Sequence, residues 1–193
     1  MSNSIESTPD TSPPPEERPV RGRRRVLQGG LAVAPVLMTL VSRPVLGQGT
    51  CTSPSGYVSA NASNAGHETC SGHPPDYWAN PLHFSEWPSG FHPENPHVSR
   101  FNDFFTPHLQ GNPTLLAVLQ GQAGTGNRTT DNVARYITAA LLNAAAGLTP
   151  VLGIPTVQHM WQEYVTTGFF SPFANAHWDT NELIDYLLTT MLQ

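Results

Sequence analysis

Residues 131–146 read DNVARYITAALLNAAA, and this segment decides the fold class of the chain. Its apolar side chains recur three and four positions apart, which places them on one face of an α-helix. Gly147 follows directly and predicts the end of that helix. Asp131 and Arg135 are spaced for a favourable ion pair along it. An amphipathic helix must bury its apolar face against other elements, so the segment predicts a helical core.

Two further segments of the same half show this pattern. Asn112 and Pro113 form a helix-start signal, in which the asparagine side chain caps the first turn and proline takes the first helical position. Leucines follow, and Gly121 predicts the end of this helix. Another helix is predicted over residues 156–166, where apolar residues again recur at helical spacing.

The last predicted helix has the clearest signal. Asp179 and Glu182 are spaced as a capping box. The apolar residues that follow at helical spacing are Leu183, Ile184, Leu187, Leu188, Met191 and Leu192. The sequence therefore predicts a mainly α fold, a small bundle of about four short helices formed by residues 112–193.

Residues 48–111 show no long periodic element. Eight prolines from Pro74 to Pro113 interrupt any long helix, because proline lacks a backbone donor and fixes its φ angle. We expect only one short helical turn here, at residues 98–105. This half should be irregular, rich in proline and aromatic residues, and packed on the helices of the same single domain.

The first 47 residues form a separate unit, which holds six of the nine arginines of a chain without lysine. Its motif GRRRVLQ (residues 22–28) resembles the twin-arginine export signal, with Arg23 and Arg24 as the arginine pair and Val26 and Leu27 as the apolar pair. The apolar segment that follows, residues 29–41, is shorter than the roughly 20 residues that span a bilayer.

Residues 2–19 are rich in serine, proline and acidic residues, which predicts a disordered leader. The resemblance implies a signal peptide within residues 1–47 and transport by the twin-arginine translocase. A site with small residues precedes Gln48, so we expect cleavage after Gly47. Whether the signal is cleaved or kept as an anchor stays open. After cleavage the protein would be periplasmic or secreted and not an integral membrane protein.

The exported part is acidic. After Gly47 it keeps three arginines against ten carboxylates, which gives a net charge of about −7 with neutral histidines. Nucleic acids require a basic surface, so we expect no nucleic-acid partner.

Cys51 and Cys70 both lie in the exported part. Two cysteines this close in an oxidising compartment predict one disulfide that closes a short loop. A thiolate metal ligand or a catalytic thiol is the alternative.

Six of the eight histidines lie within 42 residues of the irregular half, together with several carboxylates. Imidazole and carboxylate groups suit a transition metal such as zinc, copper, nickel or iron. The spacings match no metal-binding motif, so histidines scattered over a proline-rich surface are the alternative. The candidate ligands are His67, His73, His83, His92, His97 and His108.

Residues 71–88 read SGHPPDYWANPLHFSEWP and concentrate aromatic side chains in a segment that prolines make irregular. Tyr77, Trp78 and Trp87 are each large enough to bury an area of about 150–250 Å². We interpret them as anchors that pin this loop onto the helices, rather than as a ligand-binding platform.

This segment also resembles a motif of exported bacterial surface proteins, roughly PGYWKNHPxxWP. In those proteins a leucine-rich turn and a helix that contains alanine and asparagine follow. LLAVL (115–119) resembles the turn and ARYITAALLNAA (134–145) resembles the helix. Asp76 replaces the glycine of the motif and Ala79 its lysine. The resemblance implies a related fold and brings no catalytic residues with it.

No catalytic motif is present, and without lysine there is no Schiff-base chemistry. We therefore expect a non-enzymatic binding or accessory domain of the cell envelope or exterior, with a possible protein partner. The alternative is a periplasmic metal-binding protein or a metalloenzyme subunit that uses the histidine-rich segment 67–108.

Overall fold

The computed structural model describes residues 50–59, 68–95, 97 and 99–192. The predicted export signal lies outside these residues. The fold is mainly α, as predicted, with one pair of very short strands. Its elements are β1 (Thr50–Cys51), α1 (Pro54–Ser59), β2 (Glu68–Thr69), α2 (Pro75–Ala79), α3 (Leu115–Leu119), α4 (Arg128–Ala145), α5 (Ile154–Thr167) and α6 (Thr180–Thr189), with 3-10 helices at Pro81–Glu86 and Phe101–Asp103.

Helix α4 is the centre of the domain. It packs against α2, α3, α5 and α6, and every residue from Ile137 to Asn143 is fully buried. A helix buried on all sides at this point needs small side chains where neighbours approach, and Ala139 and Ala140 provide them. The four helices of the second half thus share one core.

The helix boundaries differ from the prediction at α3. Thr114, not Asn112, caps this helix, because its Oγ1 accepts the backbone N–H of Ala117 at 3.1 Å. Asn112 has a φ of 43° and its Oδ1 accepts the backbone N–H of Asn102 at 3.0 Å. Asn112 therefore holds the preceding turn in place instead of starting the helix.

The ends of α4 and α6 follow the sequence signals more closely. Helix α4 starts three residues earlier than the predicted segment, at Arg128, with Asn127 as its cap. Gly147 follows its end with a φ of 72°. Helix α6 starts with the predicted capping box between Asp179 and Glu182.

The predicted ion pair within α4 is wrong. The guanidinium of Arg135 contacts the carboxylate of Asp76 from α2, and its Nε donates to the carbonyl of Leu119 at 2.8 Å. Asp131 instead accepts hydrogen bonds from the backbone N–H of Thr125 at 3.0 Å and from its hydroxyl at 2.5 Å. Arg135 therefore pairs with a residue distant in sequence, and Asp131 is held by the turn that precedes α4.

The first half is more ordered than predicted. Pro75 and Pro81 stand at the starts of α2 and of the following 3-10 helix. Proline fits this position because the first helical N–H has no partner within the helix. The prolines therefore keep these helices short without preventing them.

The predicted disulfide between Cys51 and Cys70 is present, with 5.7 Å between the two Cα atoms. It lies beside the antiparallel pairing of β1 with β2, and both cysteines are buried. Among the described residues, no helix has the length and apolar character needed to cross a membrane.

Candidate functional site

One buried amide positions the aromatic segment on α4. Asn143 is fully buried, and its Oδ1 accepts the backbone N–H of His73 at 2.7 Å and the indole N–H of Trp78 at 3.0 Å. Its Nδ2 donates to the carbonyl of His73 at 2.9 Å. Three bonds to one side chain fix both the backbone and the first tryptophan of this segment.

The two tryptophans of the segment are core residues. Trp78 and Trp87 are both buried, and the indole N–H of Trp87 donates to the carbonyl of Trp78 at 3.0 Å. Tyr77 is only half-buried and packs at the edge of the core. The tryptophans therefore act as anchors, while Tyr77 reaches the surface.

At the surface, Tyr77 is stacked between two imidazole rings. Its ring centroid lies 3.7 Å from that of His73 on one face and 3.7 Å from that of His83 on the other. Glu86 accepts the phenolic hydroxyl of Tyr77 and the Nδ1 of His83, the latter at 2.8 Å. We call these four side chains the imidazole cluster. Both faces of Tyr77 are covered, so it cannot stack on a ligand.

The bonds within the imidazole cluster set its ionisation. Hydrogen bonds, first from His83 and then from Tyr77, hold the pKa of the Glu86 carboxyl below its usual value. The hydrogen bond to Glu86 raises the pKa of the Tyr77 phenol. Burial lowers the pKa of His73, although the negative charge of Glu86 partly opposes this. The fold thus favours the charged form of Glu86 and the neutral form of His73.

The structure separates most of the predicted metal ligands. His73 and His83 lie on opposite faces of Tyr77, and His92, His97 and His108 are exposed. Among the described residues, no three His, Cys, Asp or Glu side chains are placed to hold one metal ion. His67 lies outside those residues, so a metal site that includes it stays a prediction. Elemental analysis of the full chain would test it.

A second surface feature could not be predicted from any motif. An open cleft of 630 Å³ lies where the turn after α3 meets the first turns of α4 and α6. We call it the polar cleft. Its lining residues are Gln120, Gly121, Arg128, Thr129, Asp131, Asn132, Arg135, Thr180 and Asn181.

Two of the three arginines that follow Arg43 line this cleft. The charge of Arg135 is matched by Asp76, and Asp131 is held by Thr125. The side chain of Arg128 is exposed and makes no hydrogen bond or ion pair with the described residues. One guanidinium in the cleft is therefore available to an external anion.

The other polar groups of the cleft are also available. The side chains of Gln120, Thr129, Asn132 and Asn181 make no hydrogen bond with the described residues. Amide groups both donate and accept, and the threonine hydroxyl does the same. The only sequence signal for this site is the scarcity of cations, because its residues come from three separate segments.

Comparison with protein-family models, with curated proteins and with solved structures finds no match for this chain. The likeness to the exported bacterial motif therefore remains a resemblance. The functional argument depends on the geometry of the polar cleft and the imidazole cluster.

Proposed function

We propose that this protein is an exported, non-enzymatic binding domain that holds a small carboxylate-bearing ligand in the polar cleft. The observation that carries the proposal is the guanidinium of Arg128, which pairs with none of the described residues and lies within a concave, polar surface. In a chain with no lysine and few arginines after residue 47, a free cation in a cleft is a scarce feature.

The chemistry of the lining residues indicates the class of ligand. A guanidinium presents two parallel N–H groups, which match the two oxygens of a carboxylate. Around it, Gln120, Asn132 and Asn181 offer donors and acceptors suited to neutral hydroxyl groups. A sugar acid such as a uronic acid combines these two features in one small molecule.

A binding role suits the cleft better than catalysis. Its lining includes one carboxylate, Asp131, whose Oδ1 already accepts two hydrogen bonds from Thr125. Histidine, cysteine and serine are not among the lining residues. A pair of nucleophile and base, or of acid and base, would require such groups within hydrogen-bond reach of each other.

The first experiment is a calorimetric titration of the purified chain with glucuronate, with glucose as the neutral comparison. We expect glucuronate to bind and glucose to bind roughly tenfold more weakly, because the charge-assisted bonds to Arg128 are absent. Arg128→Gln should remove the difference in affinity between glucuronate and glucose. Arg128→Lys should keep only part of this difference, since lysine lacks the two parallel N–H donors of the guanidinium.

Arg100→Gln is the matched control, because it removes the same charge at a residue outside the cleft. Equal losses in the two glutamine variants would mean that overall charge, not the cleft, governs binding. No binding of either sugar would contradict the uronic-acid class. Circular dichroism of each variant establishes that it is folded.

Export is the second part of the proposal. It is supported by the motif around Arg23 and Arg24 and by the disulfide at Cys51, four residues beyond the expected cleavage point. Replacement of both arginines by lysine should leave a precursor in the cytoplasm. Unchanged secretion would contradict transport by the twin-arginine route. A mature protein with free thiols would contradict an oxidising destination.

A further inference from the structure

The charged residues of the polar cleft alternate in sign along α4. Arg128, Asp131 and Arg135 all line the cleft. Their spacings of three and then four residues place them on one face of the helix. The two guanidinium groups therefore flank a carboxylate, and the Cα atoms of the two arginines are about 10 Å apart along the helix axis.

This alternation fits a ligand with two separated anionic groups. An anion at the centre of the row would be repelled by the charge of Asp131. Its Oδ1 accepts two hydrogen bonds from Thr125, while its Oδ2 accepts none from the described residues. A neutral hydroxyl that donates to Oδ2 suits this position. The complementary ligand thus carries a carboxylate at each end and hydroxyl groups between them.

The cleft is larger than a single sugar acid requires. Its volume of 630 Å³ lies within the range of roughly 300–1,000 Å³ that is typical of pockets for drug-sized ligands. A monosaccharide is smaller than such a ligand. The cleft therefore has room for several linked sugar units along the row of charged residues.

The guanidinium of Arg135 is already oriented to hold a carboxylate. Its Nε donates to the carbonyl of Leu119 at 2.8 Å, and its Nη2 donates to the carboxylate of Asp76. A guanidinium is planar, so the bond to Leu119 fixes the direction of its remaining N–H groups. A carboxylate of a ligand would meet the same donors that now hold Asp76.

Asp76 can be displaced by a ligand at low cost. Its side chain is 85% exposed, whereas that of Arg135 is 25% exposed. Exposed ion pairs contribute little to stability, because water and salt screen them. When one carboxylate replaces the other, the charge of Arg135 stays matched and Asp76 returns to water. Asp76 therefore behaves as an internal competitor for the second anionic group.

We infer that the polar cleft binds a short chain of linked uronic acids, with one carboxylate on Arg128 and another on Arg135 in place of Asp76. The inference rests on the proposed function and specifies its ligand. The hydroxyl groups between the two carboxylates face Asp131. Asp76 then lowers the affinity for a chain, which uses both arginines, and leaves the affinity for a single uronic acid at Arg128 unchanged.

Calorimetric titration of the purified full chain with trigalacturonate tests the inference. Galacturonate is the comparison with one carboxylate, and maltotriose is the neutral comparison of the same length. We expect trigalacturonate to bind roughly tenfold more tightly than galacturonate, because its second carboxylate is held near Arg135 at a high effective concentration. Maltotriose should bind more weakly than either acid. Arg135→Gln should reduce the affinity for trigalacturonate to about that for galacturonate.

Asp76→Asn is the more specific variant, because it frees Arg135 and removes no residue that lines the cleft. It should raise the affinity for trigalacturonate by roughly threefold or more and change that for galacturonate by less than about twofold. Glu94→Gln is the matched control, since it removes the charge of an exposed carboxylate outside the cleft. It should leave both affinities nearly unchanged. Circular dichroism establishes that each variant is folded.

Two results would overturn the inference and leave the proposed function intact, provided that galacturonate binding still depends on Arg128. The first is equal affinity of the unmodified chain for trigalacturonate and galacturonate. The second is a gain in Asp76→Asn that is absent for trigalacturonate or equal for the two acids. If neither acid binds, the proposed function fails and the inference fails with it.

Discussion

Asn143 on α4 and Trp78 on α2 are joined by a hydrogen bond of 3.0 Å, although 65 residues separate them in the sequence. The same Asn143 side chain also binds the backbone of His73 on both its N–H and its carbonyl. This single amide therefore ties the irregular half of the domain to the central helix. The imidazole cluster keeps its position because its backbone is held there.

Asn143→Leu should destabilise the protein by about 3 kcal/mol. The substitution leaves the N–H and carbonyl of His73 and the indole N–H of Trp78 without partners, and each unpaired buried group costs about 1–3 kcal/mol unless it finds water. Urea unfolding followed by circular dichroism measures the change.

Gln162→Leu is the control for Asn143→Leu, since it replaces an exposed amide on α5. It should change the free energy of unfolding by less than about 0.5 kcal/mol. Similar values for the two variants would show that the bonds of Asn143 are not what holds the aromatic segment.

Gly72 is a second point of close contact, where the chain end passes the aromatic segment. The backbone N–H of Leu192 donates to the carbonyl of Gly72 at 2.7 Å. A Cβ at residue 72 would lie 2.6 Å from the carbonyl oxygen of Thr190 and 2.9 Å from Nδ2 of Asn143. Neither atom can move freely, because one is backbone and the other is buried.

Gly72→Ala should therefore destabilise the protein by roughly 2 kcal/mol or more, through overpacking and displacement of Asn143. Gly153→Ala is the matched control, since its nearest neighbour would be Pro155 Cδ at 3.7 Å, an ordinary contact. We expect that control to cost less than about 1 kcal/mol. Thermal unfolding of both variants under the same conditions gives the comparison.

The helical half could be predicted from local patterns because its signals are local. Apolar periodicity located α4 and α6, and the spacing of Asp179 and Glu182 gave the capping box. The cap of α3 was misplaced since Asn112 and Thr114 are both good capping residues. A contact with Asn102, ten residues earlier in the chain, decides between them.

The candidate site could not be predicted in the same way. The imidazole cluster depends on which ring lies on which face of Tyr77, and the polar cleft depends on how the first turns of α4 and α6 meet. Neither arrangement has a fixed spacing in the sequence. The pairing of Arg135 also could not be predicted from local spacing. Arg135 pairs with Asp76, 59 residues away in the sequence, and not with Asp131, one helical turn away.

Arg135 and Asp76 should contribute unequally to stability. The side chain of Asp76 is 85% exposed, and exposed ion pairs are worth roughly 0–1 kcal/mol because water and salt screen them. Arg135 also donates to the carbonyl of Leu119 in the partly buried contact between α3 and α4. Its loss removes that bond as well as the ion pair.

We therefore expect Asp76→Asn to cost less than about 0.5 kcal/mol and Arg135→Gln to cost about 1–2 kcal/mol. Urea unfolding at low and at high salt separates the two parts. Salt should reduce the effect of Asp76→Asn and leave most of the effect of Arg135→Gln. An equally large, salt-sensitive loss in both variants would mean that the ion pair alone provides the stability.

The imidazole cluster should make the protein less stable in acid. The pKa of Glu86 is lowered in the fold, so its contribution is present above the unfolded value of about 4.3 and is lost as pH falls through the folded value. The pKa of His73 is also lowered in the fold. As pH falls below about 6.5, the unfolded chain therefore takes up this proton first, and stability decreases.

Both effects have the same sign and occur in different pH ranges, so variants can separate them. His73→Gln should flatten the decrease in the urea midpoint between about pH 7 and 5 relative to the unmodified chain, while Glu86→Gln should flatten the decrease below about pH 4.5. His177→Gln is the control, because this exposed imidazole lies outside the cluster. An equally steep decrease between pH 7 and 5 in the unmodified chain and in His73→Gln would contradict a lowered pKa of His73 in the fold.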